Sequence, residues 1–348
     1  MADKEVTENE NAEEDVQHDL AELRAKNQER IRKFQKKARM RGTGYHCPNY
    51  PLFDRYMEGL ESGMYLFAGE SNTGKSASVL SLSWDYMACE DNRLYLIYFS
   101  LDDSANDIYP RVIGMNQDIP ISVASKPQIY ENRRDEGDAD IAIYDDWLKK
   151  GEAGIEELIE LGEKFTLLDG TDISCGEDIL ETCKDIKTLV RTEDRKANIL
   201  VVIDSGMDIV WRDKQFKSDK ELNDYTSQQI KKWAVEILDC PIFVTLHLRK
   251  IEQNRRPTVA DIKESGRWVY EASWLGLVHN DVGRNKDSAV ICVRNESDEV
   301  TPVIELNWAK NKKSAFKGMT YQTFVTNHSL VKECPEEIAE RFNHLLYS

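Results

Sequence analysis

Met64-Tyr65-Leu66-Phe67-Ala68-Gly69-Glu70-Ser71-Asn72-Thr73-Gly74-Lys75-Ser76 runs from an apolar strand into a full match to G-x-x-x-x-G-K-[ST], and a helical pattern, Lys75–Cys89, leads out of it. Strand, glycine-rich turn and helix in that order make a phosphate-binding loop. Successive backbone N–H groups turn inward, the helix N-terminus adds positive potential, and glycine lets the backbone approach an anion closely. Gly69, Asn72, Thr73, Gly74, Lys75 and Ser76 are the expected cradle for a nucleotide. Lys75 is expected to reach the β- and γ-phosphates and Ser76 to ligate Mg²⁺.

Such a loop needs a second acid for the metal. Ile199-Leu200-Val201-Val202-Ile203-Asp204 supplies it, a buried strand ending in a carboxylate. Ser76 and Asp204 together would hold the magnesium of bound ATP. Leu94–Phe99 ends in Ser100-Leu101-Asp102-Asp103-Ser104. Asp102 is the first choice for the group that polarises an attacking water and Asp103 the reserve; a helix N-cap pair is the structural alternative. His247, at the tip of Ile242–Leu246, is placed to sense a γ-phosphate.

Strand-like and helix-like stretches alternate through the middle of the chain: Phe165–Leu168, Ile199–Ile203 and Ile242–Leu246 each follow a helix (Glu152–Gly162, Asp178–Val190, Asp224–Leu238). That alternation predicts an α/β fold with a mostly parallel sheet. Leu275–His279, Ser288–Val293, Val303–Trp308 and Thr320–Val325 have short links and predict antiparallel strands at the end. Residues 117–150 are polar and read as an irregular surface insertion. The expected division is an acidic disordered tail (1–22), a basic linker helix (23–44), an ATPase domain (45–330) and a C-terminal helical tail (331–348).

The 348-residue chain carries a net charge of −17, which argues against coating nucleic acid with its whole surface but not against a local basic loop. No apolar run approaches the length of a membrane span. Seven scattered cysteines without a CxxC suit reduced thiols and a cytoplasmic location. No secretory signal is expected at the start. Residues 1–22 hold nine acids and one base, and residues 24–41 nine bases and one acid. In the second stretch, with Leu20 and Leu23 just ahead, Ile31, Phe34 and Ala38 make a narrow apolar stripe that needs a partner surface, on its own domain or on a neighbour. A hinge is expected at Arg41–Gly44.

After the His247 strand, Arg249, Lys250, Arg255, Arg256 and Lys263 fall within fifteen positions of an otherwise acidic chain. Placed beside a γ-phosphate sensor, such a loop could grip a polyanion; a solvated basic loop is the plainer reading. Arg256-Pro257-Thr258-Val259-Ala260-Asp261-Ile262-Lys263-Glu264-Ser265-Gly266 resembles the RP-x-x-x-D-[LI]-R-E-S-G segment of DnaB-type replicative helicases. Glu58–Gly63 resembles their G-G-L-x-x-G lead-in, Ser100–Asp103 their S-L-E-M, Leu246–Leu248 their S-Q-L, and Lys310-Asn311-Lys312 their K-x-R.

The resemblance spans about residues 50–325. It implies a RecA-like P-loop NTPase core, hexameric assembly around single-stranded DNA and 5′ to 3′ unwinding driven by ATP hydrolysis. It implies DNA contacts at Lys250, Lys263, Glu264 and Gly266, and a pair, Lys310 and Lys312, that reaches a neighbour's phosphates. A primase or helicase loader is the implied further partner. Aspartate stands at 102 for the family's glutamate, His247 for its glutamine, Lys312 for its arginine, and Ser205-Gly206 for the tyrosine and leucine after the metal aspartate. About 45 residues precede the core, so the primase-recruiting helical domain is expected to be absent, as in a stripped-down, phage-encoded member. The competing expectations are a RecA-like DNA-binding ATPase, a recombination or loading factor, that does not unwind, and a nucleotide-controlled module without a DNA role.

Overall fold

The computed structural model describes residues 2–41, 44–136, 140–251, 255–263, 266–285, 289–294 and 298–347. It divides into two units, Met1–Gly44 and Tyr45–Ser348.

The first unit is one helix, α1 (Ala2–Arg41). The expectation for residues 1–22 is a disordered tail; the structure instead carries the helix through Ala2–Glu22. Two physical reasons support it. Glu, Ala, Gln and Lys are strong helix formers, and acids early with bases late complement the helix dipole. Glu22–Lys26 and Glu29–Lys33 add i,i+4 ion pairs at 2.6 Å each, acid before base, the favourable order. Leu20, Leu23, Ile31 and Phe34 are 47%, 54%, 57% and 70% exposed, so the stripe is uncovered within this unit. Of the expected hinge, Gly42 and Thr43 lie outside the described residues; Gly44 has φ 85°.

The second unit is built on a ten-stranded sheet. β1 (Gly63–Gly69), β2 (Leu94–Ser100), β3 (Phe165–Asp169), β4 (Asn198–Asp204), β5 (Pro241–His247) and β6 (Trp274–Asn280) are parallel, in the order β6-β1-β5-β4-β2-β3. β7 (Cys292–Arg294) pairs with the start of β8 (Val300–Asn311); β8 pairs with β6, then β9 (Met319–Val325) and β10 (Leu330–Glu333) extend outward, all antiparallel. The expected mixed sheet is thus present, with one correction. The Leu275–His279 strand is antiparallel to β8 on one side, as expected, but on the other it is the last parallel strand, Gly69 opposite Val278.

Both faces of the parallel strands are buried, and the residues sort by parity. Tyr65, Phe67, Leu96, Tyr98, Leu200, Val202 and Phe243 face one core. Met64, Leu66, Ala68, Ile97, Phe99, Val201, Ile203, Ile242 and Val244 face the other. Burying each large apolar side chain contributes about 1.5–3 kcal/mol, so a run such as β1 is held by its contents and not by an alternating polar face. α2 (Pro51–Met57) and α3 (Lys75–Ala88) supply Phe53, Val79, Leu82 and Tyr86 to the first core. Phe53, Trp274 and Trp308 meet there with ring centroids 5.0–5.6 Å apart.

The described residues of 117–150 are not irregular. α4 (Ala105–Gln117), α5 (Ile121–Ser125), α6 (Pro127–Asp135) and α7 (Ile141–Leu161) form a helical layer, and the helix expected at Glu152 begins at Ile141. Its small core is Ile113, Ile119, Val123, Tyr130 and Tyr144. Gly154 lets α7 lie close, since a Cβ there would sit 2.8 Å from Ile113. α8 (Gly176–Glu193) and α9 (Asp219–Lys232) cover the second core. α9 starts five residues before the expected Asp224, because Ser218 caps it by accepting a hydrogen bond from the Glu221 N–H. α10 (Gly266–Glu271), α11 (Asp281–Asn285) and α12 (Glu336–Tyr347) complete the chain. The stretch 331–348 is therefore only partly helical: β10, an edge strand, occupies its beginning.

Glu333 ties β10 to α2 by accepting the N–H groups of Leu52 (2.7 Å) and Phe53 (2.9 Å). Burial pushes its carboxyl up to about 7. A raised carboxyl pKa makes the folded state hold its proton longer than the unfolded one, so stability is lost as pH rises toward and through 7. Glu333→Gln should therefore gain Tm relative to wild type at about pH 8 and not at about pH 4.5. A Tm difference independent of pH between these values would refute the assignment.

Candidate active site

β1 delivers Gly69 to the edge of the sheet and α3 leaves from Lys75. Two glycines are required between them. A Cβ at Gly69 would lie 2.9 Å from both Thr73 Oγ1 and Val278 O. Gly74 has φ 89°, and a Cβ there would meet Ile304 Cδ1 at 2.6 Å. Thr73 Oγ1 donates to Glu70 O (2.8 Å), and Lys75 Nζ donates to the same carbonyl (3.1 Å). Lys75 is buried. Burial lowers its pKa, while Asp204, Asp102 and Glu70 pull it back up, so the amine sits in a field of three acids.

Asp204 ends β4 beside it, 8% exposed. Tyr98 OH donates to Oδ2 at 2.8 Å, and Thr245 Oγ1 donates to Oδ1. Each oxygen keeps a lone pair. Burial, and the neighbouring Asp204 charge, hold the Tyr98 phenol far above its usual pKa, so it stays a donor. Sequence reading missed both hydroxyls; their only signal is a polar residue in an apolar run. Gly206 faces Val244 Cγ1 and Trp268, which leave no room for a side chain.

Lys75, Ser76, Asp102, Asp103, Asp204 and His247 line one cavity of about 420 Å³ with Ser71, Asn72 and Gly74. That volume falls in the range of small-molecule sites, about 300–1,000 Å³. The two acids at the β2 tip separate here. Asp103 pairs with Arg111 of α4 at 2.7 Å, whereas Asp102 is exposed to the cavity. Arg111 lines the cavity too; nothing in its sequence surroundings marks it. His247 lies directly across from Gly69 in the β1–β5 register. Ser76 and Asp204 fit a magnesium ion, which is usually held through few protein oxygens plus phosphates.

The basic residues do not act alike. Arg249, Lys250 and Lys263 are exposed and make no ion pair with a described residue; Gly266 is also exposed. Arg255 is committed to Asp261 through two hydrogen bonds (2.7 and 2.8 Å). Arg256 grips Glu305, fully buried, with Nε at 2.6 Å and Nη2 at 2.8 Å. The two guanidinium groups expected on DNA each serve a carboxylate of their own fold, and removing Arg256 would leave the buried Glu305 carboxylate without that partner. Glu264 lies outside the described residues.

Lys310 and Lys312 are together but away from the cavity. Lys310 Nζ donates to the Val269 and Tyr270 carbonyls, the latter at 2.9 Å, and Lys312 Nζ donates to Tyr270 O at 3.3 Å. Burial and the Lys312 charge bring the Lys310 amine down to about 8.

A phosphate loop on the central strand, a buried carboxylate two strands away and an acid on the next strand define a RecA-like P-loop fold of the nucleoside-triphosphate-binding kind. The DnaB-like helicase C-terminal domain family matches residues 48–322, and the chain belongs to that family. Its membership carries a helicase role and dependence on a nucleoside triphosphate. Among solved structures, the fold is similar to an ATPase domain solved on its own (19% identity, 88% of this chain and 98% of that one, TM-score 0.67). It is similar also to a DnaB-like replicative helicase whose structure was described with its interactions with primase (19% identity, 88% and 67%, TM-score 0.69). No curated protein sequence matches the chain. Among the described residues no helix is long and apolar enough to cross a membrane.

Lys75→Ala and Asp204→Ala should each abolish metal-dependent hydrolysis. Asp102→Asn should bind ATP and hydrolyse it about 100-fold more slowly, whereas Asp103→Asn should chiefly release Arg111. The reverse order of effects, read in steady-state ATPase rates, would move the base to Asp103.

Proposed function

We propose that the chain is an ATP-hydrolysing helicase that acts in replication as a ring, six subunits in the simplest case, moving 5′ to 3′ on single-stranded DNA. The observation that carries this reading is the separation of two cationic groups that one hydrolysis site needs. The phosphate loop that carries Lys75 starts at Gly69, the C-terminal end of β1. Lys310, opposite Leu275, stands two strands over and three residues nearer the other end, about 10 Å along the sheet. Its amine and that of Lys312 are turned to the Tyr270 carbonyl. A neighbouring subunit's phosphates are the natural target of such a pair.

ATP with Mg²⁺ would supply the scissile phosphoryl group and the charge that steadies it; Ser76 and Asp204 would hold the metal. Asp102 takes the proton of the attacking water, and its side chain is one methylene shorter than glutamate, so the cavity must close on it. His247 hydrogen-bonds the γ-phosphate end. Lys312 gives one point of charge where arginine would give a fork. Arg249, Lys250 and Lys263 meet the DNA backbone. The exposed stripe of α1 docks on the adjacent subunit. A primase or helicase loader is the expected further partner.

The reading is tested by strand displacement on a forked duplex, with unwinding expected only with ATP and a 5′ tail. DNA-stimulated ATPase without displacement would turn the assignment to a non-unwinding RecA-like factor. The shared site is tested by mixing subunits carrying Lys75→Ala with subunits carrying Lys312→Ala. Each is inactive alone, and ATPase should return in mixed particles. No recovery in particles shown to contain both would remove the trans role of Lys312.

A further inference from the structure

Glu70, inside the phosphate loop, has two functions in the fold that point in different directions. Its carbonyl holds Thr73 and the amine of Lys75. Its carboxylate leaves the cavity and accepts the N–H of Ile251 at 3.0 Å, while pairing with Arg284 of α11. Arg284 closes the circuit by donating from Nη2 to Ile251 O at 2.9 Å. Glu70 and Arg284 are largely buried, their side chains 12% and 19% exposed, and Ile251 is 4% exposed. α11 also touches the phosphate loop directly: a Cβ on Gly283 would lie 3.4 Å from Asn72 O.

Ile251 follows Arg249 and Lys250 without a break. Behind them the segment is fastened to its own fold, Leu248 bridging Ile262 and the Arg249 N–H donating to Asp261 O at 2.8 Å. The residue that anchors Lys75 through its carbonyl is therefore joined, by one ion pair and two hydrogen bonds, to the residue beside the exposed cations. A buried carboxylate with a guanidinium and an N–H partner is rigid, since losing either partner leaves charge uncompensated. Through these contacts a displacement of the phosphate loop would reach Ile251.

We propose that the Glu70–Arg284–Ile251 junction couples nucleotide occupancy of the phosphate loop to the grip of Arg249 and Lys250 on a nucleic-acid backbone, with Glu70 and Arg284 as positioning residues. This rests on the reading of the chain as a nucleotide-driven DNA motor.

The test is a linkage measurement on the full chain. Affinity for a fluorescent oligo(dT) is measured with and without a non-hydrolysable ATP analogue, in wild type, Arg284→Gln, Glu70→Gln and the double variant. Wild type should show a nucleotide-dependent change of about fivefold or more, the scale of an ordinary coupling between sites. Arg284→Gln should bind oligo(dT) alone within about threefold of wild type, yet its nucleotide-dependent change should fall below about twofold. The double variant should lose no more than either single one, because the two residues form one unit. Should Arg284→Gln not fold, Glu70→Gln, which keeps the side-chain volume, carries the test. Variants that keep the wild-type factor overturn the junction and leave the helicase reading standing. Wild type whose oligo(dT) affinity ignores nucleotide overturns both.

Discussion

The carboxylate of Asp204 lies between two hydroxyls, Tyr98 from β2 and Thr245 from β5, and the rest of the site depends on that arrangement. A buried ionised group persists only with partners, and these partners exist because β2, β4 and β5 are parallel neighbours in one register. Ser100 is opposite Asp204, and Ile203 is opposite Val244. A slip of one residue would turn Tyr98 and Thr245 to the other face. The same parallel constraint makes β1, β2, β4 and β5 end on one edge, so the phosphate loop, the Asp102 turn, Asp204 and His247 meet without being near in sequence. The chemistry is local to the strand ends; the sheet decides that those ends coincide.

The parts of this architecture legible in the sequence are those written as local pattern. Short apolar runs ending in a charged or glycine residue locate the parallel strands to within a residue or two, and the G-x-x-x-x-G-K-S spacing locates the cradle. What the sequence hides is relational. The helices of 117–161 bury little, Val123 in α5, Tyr130 in α6 and Tyr144, Gly151 and Gly154 in α7, so their composition reads as surface loop. Direction is hidden too: the β6 strand looks like its antiparallel successors, and only pairing with β1 shows that it runs with the core. Arg256 and Arg255 look like free cations because Glu305 and Asp261 become their partners only after folding. Tyr98 and Thr245 show only as polar residues in apolar runs, and Arg111 gives no local sign at all.

Those hidden pairings alter how the charge of the chain is understood. With a net charge of −17, a basic stretch invites the conclusion that every cation in it awaits an anion. The fold divides the stretch instead. Arg255 and Arg256 fasten it, and Arg249, Lys250 and Lys263 remain outward. Removing a fastening arginine would disorder the presentation of the outward ones, so loss of DNA binding in such a variant would not by itself place that arginine on the DNA.

The lysine pair presents the opposite electrostatic case. Lys310 is met by backbone carbonyls, which accept its protons but carry no net charge, and by two further cations, Lys312 and Lys231, within electrostatic reach. Burial also lowers Lys231, and Lys312 adds to the effect. Three ammonium groups gathered at one end of a sheet repel one another, and Glu271 is the acid that offsets them. A fold that needed these residues only for stability would gain by separating them, since like charges at close range oppose folding. An anion brought against this cluster would offset the repulsion. Such an anion would restore the full charge of Lys310, whose pKa of about 8 leaves it only partly committed to that charge at mildly alkaline pH. In the proposed ring this corner, with positive charge in excess, and the open side of a neighbour's phosphate cavity, which fills with negative charge, would be complementary.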